Sequence, residues 1–378
     1  RGSMSLRTAM MDEIMEQGEL LQEIFENRKE ITKKFVKLCK EQQFKKIYFV
    51  GNGSPYYAGY TLSFAAEKLM GADAVAIPAG VFHNPCVFNR AKQYANDEIL
   101  LVCPAESGRS KGQVDAAHRA KEVGIKVMST TLNPNGILAG YSDIVLTKPG
   151  QHEQAMAATK GQTMGILLIF LNFLEAAYQT GKITEETYQM YLEGCKHLSV
   201  NVKKSIQDTC NWFWENKSRV MGAGKYFLIG YGANYGTVQE AGLKFLECHG
   251  KPTYALELEE SLHGPFRALH KDDMVFFVAA EKGNERNRME ALAEAIEPYC
   301  KHRIIIQSTK ELAQADSLRI HSSDLELINT MEYLIPFQVL SFLIADEMGI
   351  DLSIPLVASL DDAMSPAYED ENENREKL

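Results

Sequence analysis

The sequence predicts an α/β protein built from two tandem copies of one domain, each a parallel sheet flanked by helices in three layers. The chain has 378 residues, which is the usual length of two domains. Short β-rich runs alternate with helical runs, as in parallel sheets that are covered on both faces. A strand that ends in glycines at Lys46–Gly53 is followed by a similar run at Lys225–Gly232. The pattern therefore restarts in mid-chain.

The restart extends beyond the glycines, which indicates an internal repeat. Further along the chain, Asp97–Val102 is similar to Asp272–Phe277, at nearly the same separation as the glycine runs. Two collinear segments with nearly the same separation predict duplication of the domain. Around the glycine runs, the two copies align without insertion or deletion and share five identical residues. The identical pairs are Gly51 and Gly230, Gly53 and Gly232, Tyr56 and Tyr235, Gly71 and Gly250, and Ala76 and Ala255.

Each element follows from its apolar pattern. Apolar residues recur at helical spacing among charged ones through the first forty positions, which predicts helix there. Short runs rich in β-branched and aromatic residues predict strands. The predicted strands are Lys46–Val50, Ala74–Pro78, Glu98–Cys103, Lys126–Ser129, Ile144–Leu146 and Lys225–Ile229. The predicted helices are Tyr57–Leu69, Ser110–Val123, Gln162–Gln179, Glu185–Trp214 and a buried one within Tyr333–Ala345.

These elements divide the chain into five predicted segments. Residues 1–43 are N-terminal helix, with residues 1–4 set aside as the remnant of an expression tag. Residues 44–180 form the first, phosphate-binding domain, and residues 221–355 form the second, catalytic one, with linker helices at 181–220. Residues 356–378 form a C-terminal tail whose acidic end we expect to be solvated.

Composition and charge exclude several classes of protein. The chain carries a formal net charge of −10 and has no basic run, which argues against a general nucleic-acid binder. No uninterrupted apolar run is long enough to span a membrane, and no signal peptide is evident. The seven cysteines, Cys86 among them, are scattered without a CxxC pair, as in a reducing compartment. We therefore expect a cytoplasmic protein with no nucleic-acid or membrane partner.

Two loops carry the residues expected to hold an anion. Gly51–Ser54 lies between a strand and a helix, where backbone N–H groups and the helix dipole favour a phosphate. After another strand, Glu106–Ser110 offers two more hydroxyls. The alternative is that the glycine-rich loop is only a tight turn. The predicted phosphate-binding residues are Gly53, Ser54, Ser107 and Ser110.

The repeat favours the phosphate interpretation over the turn. The second copy replaces all three hydroxyl residues, so the fold itself does not require them. Neither loop has the glycine spacing of a dinucleotide site or a Walker loop, and we expect no cofactor. The replacements are Ala233 for Ser54, Lys282 for Ser107 and Glu285 for Ser110.

A second cluster offers acid–base chemistry. Lys244 and Glu247 are three residues apart on a predicted helix and share a face, and His263 follows sixteen residues after Glu247. Glu247 could act as a general base and His263 as a general acid or proton shuttle. Together with Lys244, they would suit proton transfer at a carbon acid next to a carbonyl or imine. The alternative is a surface ion pair between Lys244 and Glu247, with His263 capping a loop. No ligand spacing typical of a metal site occurs, and we expect no metal.

Taken together, these segments resemble the sugar isomerase (SIS) family. The similarity is greatest to the isomerase half of glucosamine-6-phosphate synthase and to the fructoselysine and glucoselysine 6-phosphate deglycases, and it covers nearly the whole chain. Besides the two phosphate loops, Met11–Gln17 resembles the family's opening motif, and Ala157–Lys160 resembles the loop that lines the sugar hydroxyls. Glu247 and His263–Pro265, at the family's spacing, are the most specific match.

The resemblance implies two SIS domains, a hexose 6-phosphate ligand contacted by Ala158 and Thr159, and a homodimer in which the histidine can come from the neighbouring subunit. Two departures from the synthase stand out. We expect no glutaminase domain before residue 10, and hence no delivery of ammonia from glutamine. Leu360 stands where the synthase has a lysine that serves the sugar ring, which predicts a different pocket near the amine.

The preferred interpretation is a sugar-phosphate deglycase. It would release a lysine-type amine from a glycated hexose 6-phosphate by an enaminol proton shift and imine hydrolysis. One alternative is an isomerase, or an ammonia-dependent aminating enzyme, that acts on fructose 6-phosphate. Another is a phosphosugar sensor without catalysis, although a sensor needs no base such as Glu247.

Overall fold

The protein contains two five-stranded sheets. The computed structural model describes residues 9–80, 89–314, 316–354 and 357–369. The strands of sheet 1 are β1 (Lys46–Gly51), β2 (Asp73–Pro78), β3 (Ile99–Cys103), β4 (Lys126–Thr131) and β5 (Ile144–Thr147). Those of sheet 2 are β6 (Tyr226–Gly230), β7 (Thr253–Glu257), β8 (Met274–Val278), β9 (His302–Ser308) and β10 (Ser317–Ile320).

Both sheets have the same topology. The strand order is β2-β1-β3-β4-β5 in sheet 1 and β7-β6-β8-β9-β10 in sheet 2, and every strand pairing is parallel. Parallel strands need a crossover between them, and helices alternate with the strands along the chain to supply it. The predicted fold class, two tandem α/β domains with parallel sheets, is confirmed.

Helices make up most of the rest of the described chain. They are, in order, α1 (Ala9–Glu26), α2 (Arg28–Glu41), α3 (Ser54–Ala65), α4 (Lys111–Glu122), α5 (Ile137–Gly140), α6 (Lys160–Gln179), α7 (Glu185–Gly222), α8 (Asn234–His249), α9 (Asn284–Ala295), α10 (Asn329–Glu332), α11 (Ile335–Glu347) and α12 (Ala358–Met364).

The chain divides into two compact units, each built around one sheet. The sheet-1 unit comprises Glu23–His152, Gly161–Met190 and Pro355–Leu378. The sheet-2 unit comprises Arg1–Gln22, Glu153–Lys160 and Tyr191–Ile354. The short segment Glu153–Lys160 thus belongs with the second sheet, although it lies in the first half of the sequence.

Each unit has its own apolar core. In the sheet-1 unit, Val50 and Leu101 of neighbouring strands pack with Val114 of α4. In the sheet-2 unit, Phe277 packs with Met289 of α9. The central strands are buried along their whole length, because helices cover both faces of a parallel sheet.

Helix α6 is the one helix of the described ranges that is long and apolar enough to cross a membrane. However, 89% of its most apolar window is buried inside the protein, as in a core helix. The polar residue within it, Asn172, is fully buried, and its side-chain amide donates to the carbonyl of Leu168 at 2.8 Å.

The predicted strands agree with the structure to within about two residues at each end. The first helix of sheet 1 differs more. It begins at Ser54, three residues before the predicted start, because Pro55 is tolerated in a first helical turn, where its missing N–H has no intrahelical partner. It also ends in a π-helical turn at Ala66–Met70.

Candidate functional site

The first candidate site lies at the carboxyl edge of sheet 1, where β1 and β3 are neighbours. Strand order reverses at this point, and parallel sheets bind ligands in the crevice that results. Gly51–Ser54 follows β1 and Glu106–Ser110 follows β3. Phe49 pairs with Val102, so the two strands run in register and both predicted phosphate loops leave the sheet at the same edge.

The glycines of the first loop are required by the turn. A Cβ on Gly51 would lie 2.8 Å from the carbonyl carbon of Pro55, and Gly53 has a φ of +61°, which favours glycine. Gly230 and Gly232 repeat the close approach and the positive φ in the second copy. The glycines therefore explain the turn in both copies, and the phosphate prediction depends on the serines.

Two glutamines hold the loops in place. Nε2 of Gln113, a buried residue of α4, donates to the carbonyl of Val50 at 2.9 Å and to that of Pro104 at 2.6 Å, and so bridges the ends of β1 and β3. Nε2 of Gln162 in α6 donates to the carbonyl of Ser54 at 3.0 Å. Sequence reasoning missed both residues. The sequence did offer a signal for them, because each is a polar residue on a helix face that otherwise carries apolar residues.

The three predicted phosphate-binding serines lie at these loop ends. Ser54 begins α3, and Ser110 precedes α4 without accepting a capping hydrogen bond from the helix start on its hydroxyl. The hydroxyl of Ser107 accepts a hydrogen bond from the backbone N–H of Arg109 at 3.3 Å. Ser54 and Ser107 are half-buried and Ser110 is exposed. Phosphate binding by these serines stays a prediction.

A carboxylate lies inside the second loop, and a buried lysine neutralises it. Glu106 forms an ion pair with Lys148, which follows β5 and whose side chain is only 4% exposed. The other carboxylate oxygen of Glu106 is buried without a hydrogen-bond partner among the described residues. Unpaired, this carboxylate would repel a phosphate in the same loop. Sequence reasoning missed Lys148, although its place after a strand at the carboxyl edge of the sheet was a signal.

The C-terminal segment pairs with the same loop. Ala367 forms a single antiparallel bridge with Ser110. The hydroxyl of Tyr368 donates to a carboxylate oxygen of Asp115 in α4 at 2.6 Å. The segment at residues 366–368 thus fixes the backbone on both sides of Ser110. The two flanking backbone bonds run from Lys111 N–H to the Pro366 carbonyl at 3.0 Å and from Tyr368 N–H to the Arg109 carbonyl at 2.9 Å.

In sheet 2, the equivalent edge carries a carboxylate that accepts hydrogen bonds from two buried amides. Glu281 follows β8, and its carboxylate accepts hydrogen bonds from the amides of Asn234 at 3.2 Å and Asn329 at 2.9 Å. Asn234 begins α8, the position at which a helix would favour an external anion. Burial raises the pKa of the Glu281 carboxyl. Glu281 is the repeat counterpart of Glu106, so both copies hold a carboxylate at this edge, paired with a lysine in the first copy and with two amides in the second.

The predicted acid–base pair lies on α8. The Lys244 side chain is 1% exposed and bridges Glu240 at 3.4 Å and Glu247 at 2.5 Å. Burial alone would lower the pKa of Lys244, but the two carboxylates outweigh burial and raise it, so the ammonium stays charged. The Glu247 side chain is 36% exposed and reaches solvent. The alternative of a surface ion pair is wrong, because the lysine is buried.

The first copy has no such cluster. At the positions that the repeat makes equivalent to Glu240, Lys244 and Glu247, the chain has Thr61, Ala65 and Lys68. Neither of the two carboxylates of the second copy is present there. The charged trio on α8 is therefore a specific feature of the second copy and not a requirement of the fold.

His263 lies in the connection between β7 and β8, between two short 3-10 turns. It is exposed, and Gly264 after it has a φ of +127°, a backbone conformation that favours glycine. Within the described part of the chain, no hydrogen bond or ion pair joins His263 to Glu247. The structure thus brings Lys244 and Glu247 together but does not link His263 to them, and its catalytic role stays a prediction.

The predicted sugar-binding residues lie in the segment before α6. Thr159 is fully buried, and its hydroxyl donates to the Glu153 carboxylate at 2.7 Å. Ala158 is half-buried. The Thr159 side chain is thus engaged within the protein, and contact of Ala158 and Thr159 with a sugar stays a prediction.

The cysteines are not arranged for nucleophilic chemistry. The six in the described ranges are free thiols, and Cys86 lies outside the described residues. Burial raises the pKa of Cys248, beside Glu247, to about 12, so this thiol stays protonated at neutral pH. No group of three metal-ligating side chains occurs among the residues with described positions.

Comparison with known proteins gives relatives in sequence and in structure, although no protein-family model matches the chain. The isomerizing glutamine–fructose-6-phosphate aminotransferase of Pyrobaculum aerophilum is 26% identical over 317 residues, which cover 82% of this chain and 50% of that protein. The C-terminal domain of glucosamine–fructose-6-phosphate aminotransferase from Francisella tularensis superposes with a TM-score of 0.81 and 19% identity, covering 92% of this chain and 98% of that one.

The chain has the fold of SIS proteins. Its two α/β domains are tandem SIS domains, and the predicted resemblance to the isomerase half of the synthase is confirmed. Another solved structure with this SIS fold is the glucosamine-6-phosphate deaminase of Thermotoga maritima, with a TM-score of 0.68, 22% identity, and coverage of 92% of this chain and 98% of that one. The chain spans about half the length of the curated relatives it matches. Leu360, the residue predicted to stand in place of the synthase lysine, is 57% exposed.

Proposed function

We propose that this SIS protein is a sugar-phosphate deglycase that releases a lysine-type amine from a glycated hexose 6-phosphate. The asymmetry between the two copies is the observation that carries the proposal. The first copy has serines in the two loops that follow β1 and β3, where the strand order reverses. The second copy has no serine at the equivalent positions and instead carries a partly exposed Glu247 beside a buried lysine. One copy is suited to an anion and the other to proton transfer.

The names of the relatives support chemistry at a carbon–nitrogen bond. One is an aminotransferase for fructose 6-phosphate, and another is a deaminase for glucosamine 6-phosphate. Both names describe an amino group that is added to, or removed from, a hexose 6-phosphate. A deglycase removes a substituted amine from the same kind of sugar.

Each predicted residue has a role in the proposed reaction. Ser54, Ser107 and Ser110 hold the phosphate. For a substrate with its amine on C1 and a carbonyl at C2, Glu247 takes a proton from C1, and the resulting enaminol is protonated at C2. The C1=N imine then adds water and breaks into the free amine and an aldose 6-phosphate. Positioned proton transfer of this kind contributes roughly 10²–10⁴-fold to a rate.

The other two groups support the proton transfer. Lys244 orients the Glu247 carboxylate through their ion pair. His263, from the same or the neighbouring subunit, assists ring opening. When the amine is on C2, the proton moves in the opposite direction and the product is the ketose 6-phosphate.

Separate incubation with fructoselysine 6-phosphate and glucoselysine 6-phosphate tests the proposal. Release of free lysine together with glucose 6-phosphate from the first, or fructose 6-phosphate from the second, is the expected result. If neither compound is cleaved, this protein is not a deglycase of glycated lysine.

The relatives' names also favour a second candidate, an isomerase or ammonia-dependent aminating enzyme acting on fructose 6-phosphate. Product analysis with and without ammonia separates the two. An amino sugar that forms only with ammonia, or glucose 6-phosphate without it, favours the second candidate.

We further propose a cytoplasmic homodimer. The free thiols of the described cysteines fit a reducing compartment. Light scattering coupled to size-exclusion chromatography measures the mass in solution, and a monomeric mass at micromolar concentration would exclude the dimer.

A further inference from the structure

Three polar residues of α1 make contacts that lead to one loop, Glu153–Lys160, here called the sugar loop. Glu13, Glu16 and Gln17 occupy positions i, i+3 and i+4 and therefore lie on one face of the helix. They belong to the opening motif Met11–Gln17, to which the proposed reaction gives no role. The sugar loop and this part of α1 are both within the sheet-2 unit.

Glu13 holds the beginning of the loop. Its carboxylate accepts hydrogen bonds from the backbone N–H groups of Gln154 and Ala155, the latter at 3.3 Å. The residue is 5% exposed. Burial raises the pKa of Glu13, and the two backbone bonds oppose that shift by stabilising the carboxylate. Charge-assisted bonds of this kind are stronger than neutral ones and fix the loop backbone.

Gln17 holds the end of the loop through a second glutamine. Its Nε2 donates to Oε1 of Gln338 in α11 at 2.8 Å, and Nε2 of Gln338 donates to the carbonyl of Thr159 at 3.1 Å. Both glutamines are fully buried. Buried polar groups of this kind are costly unless paired, so the relay fixes a single arrangement of helix and loop.

Other contacts complete the support of the loop. Nζ of Lys160 lies 2.6 Å from the Glu16 carboxylate. The backbone N–H of Met156 donates to the carbonyl of Leu352 at 3.1 Å. The Glu153 carboxylate accepts from the backbone N–H groups at the loop end, at 2.6 and 3.0 Å. These contacts lie on both sides of Ala158, the half-buried residue predicted to touch the sugar.

We infer that Glu13 and Gln17 are positioning residues that hold the sugar loop in its substrate-binding conformation. The inference rests on the proposed function, and on the resemblance that predicts sugar contact by Ala158 and Thr159 of this loop. A loop without helix or strand loses conformational freedom when it binds a ligand. A loop that is already ordered by buried partners does not bear that cost at binding, so the ligand binds more tightly.

Two substitutions test the inference against a matched control. Glu13→Gln keeps the shape of the side chain, but one carboxylate oxygen becomes an NH2 group. That group cannot accept a hydrogen bond from the backbone N–H of Gln154 or Ala155. Gln17→Met keeps the volume and removes the donor to Gln338. Glu19→Gln is the control, because Glu19 lies on the same helix with its side chain 79% exposed and 3.6 Å from Lys203.

Two measurements on the full chain read out the effect. Hydrogen exchange followed by mass spectrometry reports the protection of the sugar-loop amides. Calorimetry reports the affinity for glucitol 6-phosphate, an unreactive open-chain probe, and for inorganic phosphate. Both test variants should exchange the loop amides about tenfold faster and bind glucitol 6-phosphate roughly tenfold more weakly, with unchanged affinity for inorganic phosphate. The control should behave like the wild type.

The outcomes separate this inference from the proposed function. Wild-type loop exchange in both variants overturns the inference, as does faster exchange with undiminished affinity for glucitol 6-phosphate. A wild-type protein that binds no sugar phosphate defeats the proposed function. In that case the exchange rates alone decide whether Glu13 and Gln17 hold the loop.

Discussion

At the scale of single residues, two buried lysines set the behaviour of the carboxylates beside them. The Lys148 side chain is 4% exposed and pairs with Glu106, and that of Lys244 is 1% exposed and pairs with Glu247. Removing one partner of a buried pair leaves an uncompensated charge, which costs far more than the pair contributes. Each lysine therefore matters chiefly through the carboxylate that it neutralises or orients.

Lys148→Met should weaken phosphate binding. With the ammonium gone, the Glu106 carboxylate repels a phosphate held by the same loop, and we expect the Kd of inorganic phosphate to rise roughly tenfold. Calorimetric titration measures the change. The double variant Glu106→Gln with Lys148→Met removes both charges and should recover most of the affinity. A double variant as weak as the single one would contradict this explanation.

Glu281 predicts how stability depends on pH. Burial raises the pKa of Glu281 above its unfolded value, so the native state binds more protons than the unfolded state. Its contribution to stability is fully present below the unfolded pKa and is lost as the pH rises through the folded pKa. Glu281→Gln should therefore stay more stable than wild type at pH 7 and lose less stability between pH 4 and pH 7. Urea unfolding at several pH values checks this, and an unchanged pH profile would argue against it.

At the scale of elements, the C-terminal segment acts as a short strand on the second phosphate loop. Truncation after Ser365 removes the bridge to Ser110 and the Tyr368–Asp115 hydrogen bond. We expect several-fold weaker binding of inorganic phosphate, because the loop backbone loses a partner on each side of Ser110. Calorimetry measures the affinity of the truncated chain.

A point variant separates the contribution of the Tyr368 hydroxyl from that of the backbone pairing. Tyr368→Phe keeps the backbone pairing and should cost only about 1 kcal/mol in the free energy of unfolding. Tyr299→Phe is a suitable control, since Tyr299 is 65% exposed. Undiminished phosphate affinity in the truncated chain would show that the segment does not support the loop.

Local sequence patterns predicted elements far better than contacts between them. Strands such as β1 and β3 are short apolar runs bounded by turn residues, and their propensities agree with the fold. The pairing of Gln17 with Gln338, which lies near the other end of the chain, has no local signal. The burial of Lys244 depends on how α8 packs on its neighbours, and composition alone favoured the surface.

At the scale of the whole molecule, duplication explains why one fold carries two different sets of residues. Both sheets share one strand order and one glycine turn, which the internal repeat in the sequence predicted. Divergence then placed hydroxyls in one copy and charged side chains in the other. A chain of net charge −10 repels anions at long range, so a phosphate must be held by local amides, hydroxyls and helix starts.

Because the two copies have diverged, comparing them predicts only part of the site. Residues that repeat between the copies serve the fold, and residues that differ are the candidates for function, which singled out Ser54, Ser107 and Glu247. Residues that support the site, such as Gln113 and Lys148, act through contacts formed only when distant segments meet.

The most direct test of the central claim is turnover by Glu247→Gln, with Glu294→Gln, an exposed position of α9, as the control. Release of lysine from fructoselysine 6-phosphate and glucoselysine 6-phosphate is measured beside the affinity for glucitol 6-phosphate. The proposal predicts a loss of at least about a hundredfold in turnover with the affinity retained. Turnover by Glu247→Gln close to that of the wild type would contradict it.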